Sequence, residues 1–140
     1  MTTAAALQYL DIQIQDDLKY DIRIADAHLD SGQFYREGDR SDIMSSDDID
    51  DMAIRHNGGM RNVYSCGELG SMSGPQGTID LIQDVSDERI CTLAWSASME
   101  PGSPNIFLTR NHNPKYKVEV GNWNEAGTMG EVPVTVMDAM

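Results

Sequence analysis

Apolar residues in this chain recur at every second position rather than every third or fourth. Between Leu7 and Gln15, Leu10, Ile12 and Ile14 fall on one face, and Tyr9, Asp11, Gln13 and Gln15 on the other. That is the period of a half-buried strand, and Asp16-Asp17 closes it with a turn. Tyr20, Ile22 and Ile24 then alternate with Lys19, Asp21 and Arg23. After Ile24 the apolar phase slips by one position, to Ala25, Ala27 and Leu29. A one-residue slip inside a strand predicts a β-bulge. A turn from Asp30 leads into a short aromatic strand around Phe34-Tyr35. Met52-Ala53-Ile54 starts a further strand, and His56-Asn57-Gly58-Gly59 turns it back, Asn-Gly being a strong hairpin signal.

The stretch from Arg61 to Trp95 has the clearest punctuation. A strand ends at Ser65-Cys66-Gly67, and a turn from Glu68 to Gly77 is rich in glycine. A second strand runs over Thr78-Ile79-Asp80-Leu81-Ile82, and a third from Ile90 to Ala97. No helical period separates them, which predicts an antiparallel meander. Further along, Ile106-Phe107-Leu108 is a short apolar strand, and Tyr116, Val118 and Val120 alternate with Lys115, Lys117 and Glu119. Gly121 to Gly130 is a long loop. Val132, Val134 and Val136 form the last strand, where Pro133 predicts an edge position because it has no N–H to donate. About ten short strands at this spacing predict a single all-β domain over residues 1–140, an antiparallel β-sandwich. The only helical expectation is one short turn between Ser45 and Ala53.

Charge narrows the function. The chain has 23 Asp and Glu against 10 Lys and Arg, a formal net charge of −13. Nucleic acid is excluded, since binding it needs clustered cations. The balance weighs against simple electrostatic adsorption to anionic lipid for the same reason, so the membrane partner expected is a neutral or zwitterionic lipid read by a specific site. The N-terminus has no basic start and no long apolar block, so no secretory signal is expected. Cys66 and Cys91 sit in neighbouring predicted strands. They could pair, but two free, buried thiols are the favoured expectation in a chain with no export signal.

Candidate chemistry is sparse. Glu37 to Asp51 holds seven carboxylates and one Arg. Ca²⁺ favours such oxygens, but the spacing is not that of an EF-hand loop, and a solvated acidic loop is expected. His28, His56 and His112 are scattered, with no second ligand at a metal spacing. No nucleophile elbow, phosphate loop or zinc-protease motif occurs, so neither enzyme activity nor a metal or other cofactor is expected. Among the aromatics, Trp95 alternates in phase with Cys91 and Leu93, which favours core packing. Trp123 sits among Asn122, Asn124 and Glu125 in a loop, where tryptophan suits membrane interfaces and binding hot spots. Tyr9 lies on a polar strand face. Met72, Met99 and Met129 all fall in loops and either cap the sandwich or form an adaptable apolar surface.

The order of several segments resembles the aegerolysin family, small acidic β-sandwich proteins of fungi and bacteria. Those segments are Cys66-Gly67, then Gly77-Thr78-Ile79-Asp80-Leu81, then Leu93-Ala94-Trp95. Gly121, Gly127 and Gly130 follow, ahead of the alternating strand Val132-Pro133-Val134-Thr135-Val136. Near the start, Gly32-Gln33-Phe34 and Gly38-Asp39 also match. The resemblance implies a compact sandwich akin to the actinoporins, with no catalytic activity. It implies recognition of membrane sphingolipid or another target-membrane receptor, together with a second, perforin-domain (MACPF) protein that forms the pore. A bacterial, insecticidal binary toxin, made in the cytoplasm, released and acting at target-cell membranes, is the expected setting. The chain departs from the family pattern where the family's aromatics stand. Ser31 and Tyr9 replace tryptophans, Phe107 stands near a later one, and the loop after Trp95 lacks a second Trp and a Cys. The expected lipid contacts are Tyr9, Tyr35, Trp95, Met99, Phe107 and Trp123. Two other readings are a lectin-like sandwich binding a glycan with Ca²⁺ in the acidic loop, and a glycosidase using two of the acids.

Overall fold

The fold is seen in a computed structural model that describes residues 8–68, 73–100 and 102–139. Two sheets pack face to face. One has six strands, in the order β10 (Tyr116–Val120), β11 (Gly130–Asp138), β1 (Tyr9–Asp16), β6 (Gly59–Cys66), β3 (Gln33–Arg36) and β4 (Asp39–Met44). The other has five: β5 (Ala53–Ile54), β2 (Ile22–Ser31), β7 (Gln76–Gln83), β8 (Glu88–Ser96) and β9 (Ile106–Arg110). The period-two pattern sets the core directly. Leu10, Ile12 and Ile14 of β1 are fully buried, as are Ile79 and Leu81 of β7, Leu93 of β8 and Val132 and Val136 of β11. Each such side chain contributes about 1.5–3 kcal/mol by leaving water. No helix among the described residues is long and apolar enough to cross a membrane.

Local signals appear where the chemistry puts them. The phase slip after Ile24 is a bulge between Ala25 and His28, with Asp26 at φ 51°. The freed Ala27 N–H donates to Asp50 Oδ1 at 2.8 Å. Asn57 and Gly58 both take positive φ, 59° and 96°, so the chain turns there, but the turn closes no hairpin, because β5 pairs with β2 in one sheet and β6 with β1 and β3 in the other. The helical turn at Ser45 exists as α1 (Ser46–Ile49), closed by a reciprocal cap in which Ser45 and Asp48 bond each other's backbone.

Four further expectations are corrected. The three strands of the central block do not form one meander: β6 lies in the six-stranded sheet, while β7 and β8 pair in the other. Cys66 and Cys91 therefore sit in different sheets, both free and buried, and burial pushes the Cys91 thiol up to about 12. Pro133 is not on an edge strand, because β11 lies between β10 and β1. The proline is tolerated because β10 ends at Val120: Gly121 N–H still donates to Pro133 O at 2.9 Å, and a Cβ on Gly121 would stand 2.7 Å from the proline ring. The acidic stretch is not a plain loop but builds β4 and α1. The sandwich also has one parallel pair, β1 with β11, which sets the first and last strands side by side with the two ends of the described chain at opposite ends of the pair.

Gly77 marks the tightest approach between β2, β7 and β8. A Cβ there would meet His28 O at 2.4 Å, Leu29 Cδ2 at 2.9 Å and Trp95 Cζ2 at 3.0 Å. Gly77→Ala is expected to cost about 3 kcal/mol by overpacking, read as a lower urea midpoint with an unchanged slope.

Candidate functional site

The outer face of the six-stranded sheet carries polar and aromatic side chains in cross-strand rows. Tyr35 of β3 stands opposite Tyr64 of β6, Tyr64 opposite Asp11 of β1, and Asp11 opposite Glu131 of β11. A second row holds Gln33, Cys66 and Tyr9, and a third Asn62, Gln13 and Pro133. The Tyr35 and Tyr64 rings lie 5.5 Å apart, tilted by 40°. The Arg40 guanidinium carbon sits 4.7 Å from the centre of the Tyr9 ring, within cation–π range. Gln33 Nε2 donates to Arg40 O at 3.0 Å and ties that arginine's turn to the sheet.

The polar groups of this face are mutually bonded. Tyr64 donates its hydroxyl to Glu37 Oε1 at 2.7 Å. Asp11 accepts from Asn62 Nδ2 at 2.8 Å and from Gln13 Nε2 at 3.3 Å. Burial raises the Asp11 carboxyl above its ordinary range despite these bonds. Burial also pushes the Tyr35 hydroxyl up to about 12, and burial with the Glu37 carboxylate raises Tyr64. Both tyrosines are thus neutral donors across the physiological range. Ring faces, one guanidinium and fixed carboxylates on one surface can hold a ligand that carries both an anion and a cation.

At the end of the sandwich where β1 begins, the Gln8 side chain joins two loops. Its Nε2 donates to Ser98 O at 2.9 Å and Gly127 O at 2.7 Å, and its Oε1 accepts the Met129 N–H at 2.7 Å. Buried Asn105 donates to Asn124 O and Gly127 O, both at 2.9 Å. These bonds fix residues 121–130, which carry Trp123, against residues 97–105, which carry Met99. Trp123 is half-buried, packs against the core, and lines a groove of about 330 Å³ with Gln13, Asn124, Glu131 and Pro133. Gln13 also bonds Asp11, so the tryptophan groove and the tyrosine rows meet across β1.

The aegerolysin family model matches residues 7–139. The chain belongs to the aegerolysin family. It is 32% identical to Asp-hemolysin of Aspergillus fumigatus over 116 residues, covering 82% of this chain and 81% of that protein. It is 31% identical to Terrelysin of Aspergillus terreus over 134 residues, covering 94% of this chain and 89% of that one. Among solved structures, RahU protein, determined in complex with a TRIS molecule, superposes with a TM-score of 0.85 at 22% identity, covering 94% and 95% of the two chains. IP-1A from Alcaligenes faecalis gives 0.82 at 23% identity, covering 95% and 92%. The lipid binding protein Nakanori gives 0.61 at 9% identity, covering 92% of this chain and 70% of its own. At these identities the structures show a shared fold. The family is one of lipid-binding, haemolysin-like proteins rather than enzymes.

Within this aegerolysin the residues singled out from sequence separate into two groups. Tyr9 and Tyr35 share the outer sheet face, although Tyr35 is only 5% exposed, and Trp123 lies on its far rim. Met99 is half-buried in the adjoining loop, its sulfur 3.3 Å from where a Cβ on Gly67 would lie. Trp95 and Phe107 face the core. They stand opposite each other on β8 and β9, only 2% and 7% exposed, with Trp95 edge-on to Phe34 at 6.2 Å. The structure does not bring these two to the surface, because their strand phase is that of Cys91 and Leu93. Met129 is fully buried and caps one end, while Met72 lies outside the described residues. Tyr64, Arg40, Glu37 and Asn62 were not singled out. Tyr64 shares its phase with Cys66, and Arg40 is the lone cation of the acidic stretch, so both signals were present. That stretch forms no Ca²⁺ cage, and no group of three or more His, Cys, Asp or Glu is placed to hold a metal among the described residues.

Proposed function

We propose that this chain is the membrane-recognition member of a two-component pore-forming toxin. It reads the headgroup of a zwitterionic sphingolipid and presents a composite surface to a perforin-domain partner. One observation carries the reading. Tyr9 under Arg40, Tyr64 backed by the buried Tyr35, and Trp123 line one continuous face of a rigid sheet. Arg40 suits the lipid phosphate, and the ring faces with Glu37 and Asp11 suit its amine or ammonium. Trp123 and Met99 sit where an amphipathic rim reaches headgroup depth. The net charge of −13 disfavours anionic lipid and leaves a zwitterionic one. Trp95 and Phe107 serve by holding β8 and β9 in place beneath the loops. The protein is released from the cell that makes it and acts at target membranes, insect cells included, where binding raises the local concentration of its partner.

Arg40→Ala and Trp123→Ala are each expected to weaken binding to sphingomyelin–cholesterol liposomes by about tenfold or more, with the folded circular dichroism spectrum retained at the assay temperature. Each removes one recognition contact. Full liposome binding by both variants would remove this face from the lipid site.

A further inference from the structure

We propose that β6 carries a strand-addition site, in which the side of residues Met60–Val63 turned away from β1 receives an extended, basic segment of a partner protein. This deepens the function proposed above and rests on its requirement for a protein partner. The observation is a gap in the six-stranded sheet. β3 pairs with β6 only through Gln33–Tyr35 against Tyr64–Cys66, then turns away into β4. From Gly59 to Val63, β6 runs on with β1 as its only ladder partner. The segment across the gap, α1 and β5, goes to the other sheet, where β5 pairs with β2. Among the described residues no backbone hydrogen bond reaches 60–63 from that side. A side-chain bond from Arg61 Nη1 to Ala53 O at 3.3 Å crosses it.

The gap is roomy and chemically specific. It forms an open groove of about 740 Å³ floored by Ile49 and Val63, each 1% exposed, and walled by Met44, Met52 and Met60. Met60 is 59% exposed although it lies inside a paired strand. A free strand edge is satisfied by the N–H and C=O groups of another extended chain, which a lipid tail does not supply. Methionine walls adapt to the alternate side chains of such a chain. Charge sets its sign. The groove is bordered by Glu37 and Asp48 and by Arg36 and Arg61; Arg36 is paired with Asp42 at 3.1 Å, which leaves two carboxylates against one guanidinium, next to the run from Glu37 to Asp51 with seven carboxylates and one Arg. An incoming strand flanked by Lys or Arg is favoured there and an acidic one is repelled.

The test is a display selection of random peptides, about twelve residues long, on the whole chain, with the Asp48→Lys/Met60→Lys double variant as the counter-target. Both replaced side chains lie at the groove mouth, and circular dichroism checks that the variant folds. The expected result is enrichment of peptides with alternating apolar positions and Lys or Arg flanks. They bind the natural chain at least about tenfold tighter than the variant and slow amide exchange at 60–63. No enrichment, equal binding to both proteins, or protection elsewhere would overturn the proposal. So would dodecylphosphocholine monomers, rather than any peptide, protecting those amides. Liposome pelleting of the same double variant keeps the two readings apart: retained lipid binding with lost peptide binding supports a separate partner site. Loss of lipid binding by the natural chain would instead sink the lipid reading alone.

Discussion

Trp95→Ala is expected to remove about 3–5 kcal/mol of stability, the range for deleting a large buried aromatic, and to leave much of the protein unfolded at physiological temperature. The ring is 2% exposed, meets Phe34 edge-on at 6.2 Å, and lies against the backbone of Gly77. Its Nε1 is buried with no hydrogen-bond partner among the described residues. Trp95→Phe, which keeps most of the volume and drops that donor, is therefore expected to cost only about 1 kcal/mol. Urea unfolding of the two variants checks the order. Liposome binding, corrected for the folded fraction, should match the natural chain in Trp95→Phe. A stable Trp95→Ala that has lost lipid binding would instead make this tryptophan a surface contact.

The second large effect is a pH-dependent gain. Asp16 is fully buried at the end of β1. Its Oδ1 accepts the Leu18 N–H at 2.8 Å and its backbone oxygen accepts the Gly58 N–H at 2.7 Å. Its Oδ2 has no partner among the described residues. Burial pushes this carboxyl from an ordinary 3.8 up to about 7, with Asp21 and Asp17 adding to the rise and the Leu18 bond and His56 opposing it. The folded protein thus holds a proton that the unfolded chain releases near pH 4. The stability from that proton is complete below about pH 4, falls as pH rises to about 7, and is absent above it. The gap is worth at most about 4 kcal/mol. Asp16→Asn, always neutral, is expected to match the natural chain at pH 4 and to exceed it by about 2 kcal/mol or more at pH 8. Chemical unfolding at the two pH values decides, and an equal difference at both would show that Asp16 does not titrate across this range.

Most of the fold was legible because period-two alternation survives wherever one strand face meets the core. The same pattern placed the bulge after Ile24 and the turn at Asn57-Gly58. Sheet membership was not legible, since alternation says which face is buried but not which neighbour is bonded. Hence β6 was grouped with β7 and β8 although it pairs with β1 and β3. Pro133 misled for a related reason: what matters is whether its neighbour still runs alongside, and β10 stops one residue short. The site was half legible. Tyr9 and Trp123 stood out as aromatics on polar stretches, whereas Tyr64 and Arg40 gain their meaning from cross-strand neighbours 29 and 31 positions away in sequence, at Tyr35 and Tyr9. Trp95 and Phe107 came from the family comparison, while the phase of Trp95 pointed inward.

Liposome co-sedimentation tests lipid recognition most directly, using phosphatidylcholine alone, then with sphingomyelin and cholesterol, then with ceramide phosphoethanolamine. Selective pelleting with one sphingolipid mixture is the expected result, and it names the headgroup read by the tyrosine face. No pelleting with any mixture, or equal pelleting with phosphatidylcholine alone, would contradict sphingolipid recognition and turn the search to a protein or glycan receptor.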